Sequence, residues 1–156
     1  MTRKGFSLIE LVLVVGAIAV IAAIVFPDLR GRRSVTELDL TTRAIGAVLR
    51  EAQQNALLGA SSSAWGVHFD NTDESPFYAL YAGTYTASST DTRALLPKRL
   101  RFRATSVPPG ESLDVLFSAG TGRAAQSYAI GIELNETAGS VTSTTITVSQ
   151  SGNIQY

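Results

Sequence analysis

Polarity along the chain changes character twice. From Phe6 to Phe26 every residue is apolar or Gly except Ser7 and Glu10, and Pro27 follows directly. A run of this kind has no polar face to turn toward water. About 21 residues at ~1.5 Å rise make a helix of roughly 31 Å, the thickness of a bilayer's hydrocarbon. The pattern predicts a transmembrane helix over 6–27, since no other segment is apolar enough to surround the run. Beyond Pro27 the pattern becomes amphipathic. Leu38, Ile45, Val48, Leu49, Ala52 and Ala56 recur at helical spacing and lay one apolar stripe along a second helical half, 28–59. Thr41, Thr42, Arg43, Arg50, Glu51, Gln53, Gln54 and Asn55 fall off that stripe, and Gly59 before Ala60-Ser61-Ser62-Ser63 marks its end. Pro27 lacks an amide hydrogen and crowds the preceding turn, so it either ends the first helix or kinks a continuing one; the reading taken is a kink. Gly31 is a second soft point, and Arg30, Arg32 and Arg33 are placed to meet headgroups or solvent.

From residue 60 to 156 the chain reads as short strands separated by polar, Gly- or Pro-containing breaks. Strands are predicted at 65–69, 77–82, 99–103, 113–117, 128–134, 144–148 and 153–155. Leu100 and Phe102 alternate with Arg99, Arg101 and Arg103, and Ile130, Ile132 and Leu134 with Ala129, Gly131 and Glu133, so each strand has one face for a core. Ser151-Gly152-Asn153 predicts a tight turn joining the last two strands. A long helix laid on an antiparallel sheet is an α+β head.

Composition removes whole classes of chemistry. Thirteen Lys and Arg balance 13 Asp and Glu in 156 residues, so no bulk charge draws the chain to nucleic acid or acidic surfaces. With no Cys, disulfide frameworks, Cys-based zinc sites and thiol catalysis all fall away, and the head must be held by its own core.

Glu10 is the exception inside the apolar run. An acid there costs about 2.5–3.5 kcal/mol on insertion scales unless it finds a partner. The leader Met1-Thr2-Arg3-Lys4-Gly5 is basic and stops just before the run, so trimming at that point would leave the whole run on the mature chain. A secretory signal has a shorter apolar core ending at a small-residue cleavage site, which this run does not match. Charge counting gives no clear orientation, because Arg30, Arg32 and Arg33 compete with Arg3, Lys4 and the initiator amine.

Lys4-Gly5-Phe6-Ser7-Leu8-Ile9-Glu10 resembles the class III signal of type IV pilins and type II secretion pseudopilins. In that family a membrane peptidase cuts after the Gly, the new N-terminal Phe is methylated and a Glu lies four residues on. Gly5, Phe6 and Glu10 match position by position, as does Pro27 at the end of the run. The resemblance implies cleavage between Gly5 and Phe6, N-methylation of Phe6, a single pass through the cytoplasmic membrane with the head outside, and later entry into an extracellular or periplasmic filament. It implies as partners other pilin or pseudopilin subunits, a prepilin peptidase, and a membrane platform with its ATPase. The order of helix, Ala/Ser-rich break, Trp65-Gly66-Val67 strand and closing hairpin is similar to H-type minor pseudopilins and minor pilins. Physically, a cleaved Phe6 amine and Glu10 lie one helical turn apart, neither welcome in lipid. Pairing of Glu10 with the amine of a neighbouring subunit would resolve both costs and set the stagger.

No catalytic residue, cofactor or metal ligand set is expected. His68 is the lone His and reads as structural or surface. Gly120-Thr121-Gly122-Arg123 lacks the Lys-Ser/Thr of a phosphate loop and reads as a turn. Asp70, Asn71, Asp73 and Glu74 form an oxygen-rich loop without the EF-hand pattern, read as a solvated turn rather than a calcium site. Asn135-Glu136-Thr137 meets the sequon rule, which matters only in a glycosylating host. The row Arg99, Arg101 and Arg103 admits nucleic-acid contact or a charged outer strand face that blocks edge aggregation. The function expected is therefore a structural subunit of a pilus-like filament serving secretion, adhesion, motility or DNA uptake. The alternative is a membrane-tethered module whose head recognises a surface or DNA.

Overall fold

The structure, a computed structural model, describes residues 7–72, 74–86, 90–135 and 142–156, and for 23–33, 90 and 91 it describes the backbone alone. Gly5, Phe6, Asp73, Glu136 and Thr137 lie outside the described residues. Helix α1 spans Leu8–Leu57 and passes through Pro27 without ending there. The chain divides after Val35 into two compact units.

In the second unit the apolar stripe of α1 is the helical part of the core. Leu38, Ile45, Leu49, Ala52 and Ala56 are buried, and Val48 packs against them partly covered. Thr41 and Thr42, expected off the stripe, are buried as well. They stand three and four residues from Leu38, within the same face, and the Thr42 hydroxyl is satisfied by donating to the Leu38 carbonyl at 2.8 Å. The helix closes as expected: Gly59 takes the left-handed conformation at φ 63° and donates to Ala56 O at 3.2 Å.

Eight strands follow among the described residues: β1 (Trp65–Asp70), β2 (Phe77–Ala82), β3 (Thr90–Leu95), β4 (Leu100–Phe102), β5 (Ser112–Phe117), β6 (Tyr128–Leu134), β7 (Ser143–Val148) and β8 (Ile154–Gln155). They form two antiparallel four-stranded sheets, β3-β2-β1-β5 and β4-β6-β7-β8, where the sequence suggested one sheet. Strand β3 escaped the sequence reading because Thr92, Arg93 and Leu95 are exposed; backbone pairing to β2 makes it an edge strand without hydrophobic alternation. The inner faces meet α1 in one core. Val67 and Phe69 of β1, Leu80 of β2, Val115 and Phe117 of β5, Phe102 of β4, Ile130 and Ile132 of β6, and Ile146 and Val148 of β7 all belong to it. Alternation in β4 falls as predicted, with Leu100 and Phe102 buried and Arg101 exposed. In β6 Ile130, Ile132 and Leu134 are buried and Ala129 exposed, but Gly131, expected on the outer face, is buried because the Arg103 side chain lies across it.

Two loops are fastened to the C-terminal end of α1. The Gln53 amide donates to Gly122 O at 3.1 Å and to Gly152 O at 2.9 Å, and Gly120 N donates to Ala56 O at 2.8 Å. Gly152 sits in the predicted hairpin turn at φ 89°, where a Cβ would stand 2.2 Å from the Gln53 amide nitrogen, so both conformation and space require glycine. Replacing Gln53 with Ala strands two carbonyls at once. The expected loss is about 1–3 kcal/mol, read as a lowered urea midpoint for the detergent-solubilised chain.

Candidate functional site

In the first unit, the described side chains from Leu8 to Ile21 form an apolar helix that is exposed along its length. The Ser7 carbonyl accepts from Glu10 N at 3.0 Å and Leu11 N at 3.2 Å, which starts α1, and Glu10 sits exposed in its first turn. An acid at that end also complements the helix dipole, worth about 0.3–1 kcal/mol. Leu8 is 79% exposed, Ile21 62%, and Ile9, Leu11, Val12, Leu13, Val15, Ile18 and Val20 between them are exposed on every side of the helix. A surface helix of a globular domain shows one apolar stripe; this one shows none, and each such side chain gains about 1.5–3 kcal/mol on full burial. Among the described residues no helix is long and apolar enough to cross a membrane. From Leu8 to Ala22 the rise is roughly 22 Å, short of the ~30 Å of bilayer hydrocarbon. In sequence the apolar run continues to Phe26.

In the second unit, the predicted Arg row is drawn into a cross-strand network. Arg101 Nε lies 2.8 Å from Glu133 Oε1 and Arg103 Nε 3.6 Å from Glu133 Oε2, while the Arg103 guanidinium also donates to the Ser143 hydroxyl. Arg99 precedes β4, and its carbonyl accepts from Asn135 N at 2.6 Å. One carboxylate thus serves two of the three guanidinium groups.

The oxygen-rich loop is knitted to itself. Asp70 Oδ1 accepts from both the backbone and the hydroxyl of Thr72, and Asn71 donates from its amide to Val107 O at 2.8 Å. Burial pulls the Asp70 carboxyl up, but the Thr72 bonds and His68 outweigh it and leave it below the usual range. Among the described residues no group of three or more His, Cys, Asp or Glu side chains is arranged to hold a metal ion.

His68 is where the sequence reading was least informative. It is buried, 5% exposed, on the outer face of β1, with Nδ1 2.8 Å from Asp114 Oδ1. Tyr85 stacks on its ring and Tyr81 bonds to Asp114. Burial, then the Asp114 charge and hydrogen bond, push the Tyr81 phenol well above its ordinary value; burial and Asp114 raise Tyr128 in the same direction. Asp114, Tyr81 and Tyr85 carried no signal in the sequence, because they join His68 only through strand pairing across 46 residues and through the chain that follows β2.

Neither a protein-family profile nor a curated protein matches the chain. Its architecture nevertheless falls in a known class: an N-terminal helix packed on antiparallel sheet, the α+β fold of type IV pilins. The type IV minor pilin FimU of Pseudomonas aeruginosa (strain PAO1) is similar with a TM-score of 0.51, over 77% of this chain and 87% of its own, at 16% identity. The minor pseudopilin EpsH from the type 2 secretion system of Vibrio cholerae is similar with a TM-score of 0.48, over 76% of this chain and 94% of its own, at 10% identity. At such identity the likeness to FimU establishes the fold, and function has to be argued from residues.

Proposed function

We propose that this chain is a minor pilin or pseudopilin, a structural subunit of a type IV pilus-like filament rather than an enzyme. The observation that carries the reading is the exposed apolar run at 8–22, at the start of the helix α1 that continues into a head of pilin fold. The leader 1–5 is removed between Gly5 and Phe6, and Phe6 is N-methylated. The run 6–27 first lies in the cytoplasmic membrane as a single span, with the head outside. It is then withdrawn into a filament, where it packs against the spans of other subunits and a bend at Pro27 sets the path of α1. Glu10 pairs with the Phe6 amine of a neighbour, so a charge costly in lipid becomes a register device. Withdrawal from lipid requires outside work, which calls for a prepilin peptidase, a membrane platform and an ATPase as partners.

Mass spectrometry of the chain recovered from its host tests the reading. The expected result is a mature polypeptide starting at methylated Phe6 and present in sheared fibres. A chain that retains Met1 to Gly5 and stays with the membrane overturns it and leaves a tethered binding module.

A further inference from the structure

Two polar hollows flank the turn between β7 and β8. One, of about 590 Å³, is lined by Arg50, Gln53 and Gln54 of α1 and by residues 151–154 of the turn. The other, of about 370 Å³, is lined by Arg123, Ala124, Gln150 and Ser151. Ser151 belongs to both, so the hollows adjoin. The larger falls in the range of ~300–1,000 Å³ that small-molecule sites occupy, yet its lining is polar where most such sites are apolar. Its walls are set in advance. Arg50 donates to the Tyr156 hydroxyl at 3.0 Å, and its guanidinium stands 5.0 Å from the centre of that ring. On the turn, Asn153 N donates to the Ser149 hydroxyl at 3.0 Å, and the Ser149 and Ser151 hydroxyls are bonded at 2.8 Å. Both N–H groups of the Gln53 amide are spent on Gly122 O and Gly152 O, so it offers the groove its oxygen.

We propose that this groove binds an acidic oligosaccharide. Sugar hydroxyls give and accept hydrogen bonds in turn, which suits a wall that mixes the Gln53 oxygen with the exposed amides of Gln54 and Asn153. The Arg50 guanidinium keeps the rest of its N–H fork after serving Tyr156, and a fork of that kind fits a carboxylate. Arg123 supplies a second cation in the adjoining hollow. Among the described residues no carboxylate lines either hollow, so nothing there repels an acid. Two cations set among amides and hydroxyls match a chain that carries a carboxylate on some of its rings. They are too sparse for a nucleic-acid backbone, which presents a charge at every nucleotide. Walls already fixed by Tyr156, Gly122 and Ser149 lower the ordering cost of binding. The site is built entirely within the second unit and goes beyond the filament role, on which it does not depend.

Saturation-transfer NMR and equilibrium dialysis of the full chain, in a detergent without a sugar headgroup, test the site. The probes are a galacturonate trimer, a hyaluronan tetrasaccharide and sialyllactose, with maltotriose as the neutral control. At least one acidic sugar is expected to bind, and more tightly than maltotriose. A Gln54→Glu chain, which sets a carboxylate at an exposed position of the groove wall, is expected to weaken that binding about tenfold or more with its urea midpoint unchanged. Should Gln54→Glu unfold, Asn153→Asp places the same charge on the turn and decides instead. Binding of none of the acidic sugars, binding no tighter than maltotriose, or an affinity that the added carboxylate leaves unchanged overturns the proposal. Tighter binding of oligodeoxythymidylate, weakened by the same substitution, assigns the groove to nucleic acid and overturns it too.

Discussion

A Glu10→Val chain is expected to be trimmed after Gly5 and to insert in the membrane like the parent, yet to drop out of the sheared-fibre fraction by about a hundredfold or more. The size follows from the pair. Removing one member of a desolvated ion pair leaves the other charge unmet, at about 3–5 kcal/mol, and each 1.4 kcal/mol is roughly tenfold in an equilibrium. Membrane insertion should not suffer, because valine is better tolerated in hydrocarbon than glutamate. Glu10 also stands in the first turn of α1, where its charge complements the helix dipole. Losing that contribution costs about 0.3–1 kcal/mol of helix stability and predicts normal entry into fibres. Quantifying mature chain in membrane and fibre fractions separates the two roles, and undiminished incorporation removes the pairing.

A Phe69→Ala chain is expected to lose about 3–5 kcal/mol of head stability, among the largest effects of any single truncation. Phe69 is fully buried on the inner face of β1. Its ring meets Phe102 of β4 edge-on at 5.7 Å and Tyr78 of β2 at 6.5 Å. It therefore ties one sheet to the other, and the void it leaves lies between Phe102 and Tyr78 of the two sheets, which cannot both close in fully. Urea denaturation of the solubilised chain gives the difference. Leu95→Ala on edge strand β3, where the side chain is 62% exposed, should move the midpoint by less than about 0.5 kcal/mol. Comparable losses from the two would mean that the sheets are not joined through Phe69.

Elements that bury a face are legible in the sequence. The stripe from Leu38 to Ala56 and the alternation in β4 and β6 are periodic in sequence because one side of each meets the core. Strand β3 was not legible, since a half-exposed edge held by backbone bonds leaves no such period. Nor were Thr41 and Thr42 recognised as buried, because a hydroxyl that bonds back to its own helix hides its polarity from the core. Among the candidate residues, Gly5, Phe6 and Glu10 rest on the local motif alone; Gly5 and Phe6 lie outside the described residues, and Glu10 stands exposed in the first turn of α1. The sharing of Glu133 by Arg101 and Arg103, and the gathering of Asp114, Tyr81 and Tyr85 around His68, had no local trace.

The sequence by itself determined the long apolar run, the acid within it, the amphipathic half of α1 and the α+β class, all of which follow from the order of neighbouring residues. Tertiary structure alone decided that the strands divide into two sheets, that Gln53 fastens two loops to the helix, and that the lone histidine lies between two carboxylates beneath a tyrosine. Those features depend on which strand lies beside which, and strand order is set by the packing of the whole core rather than by any local run of residues.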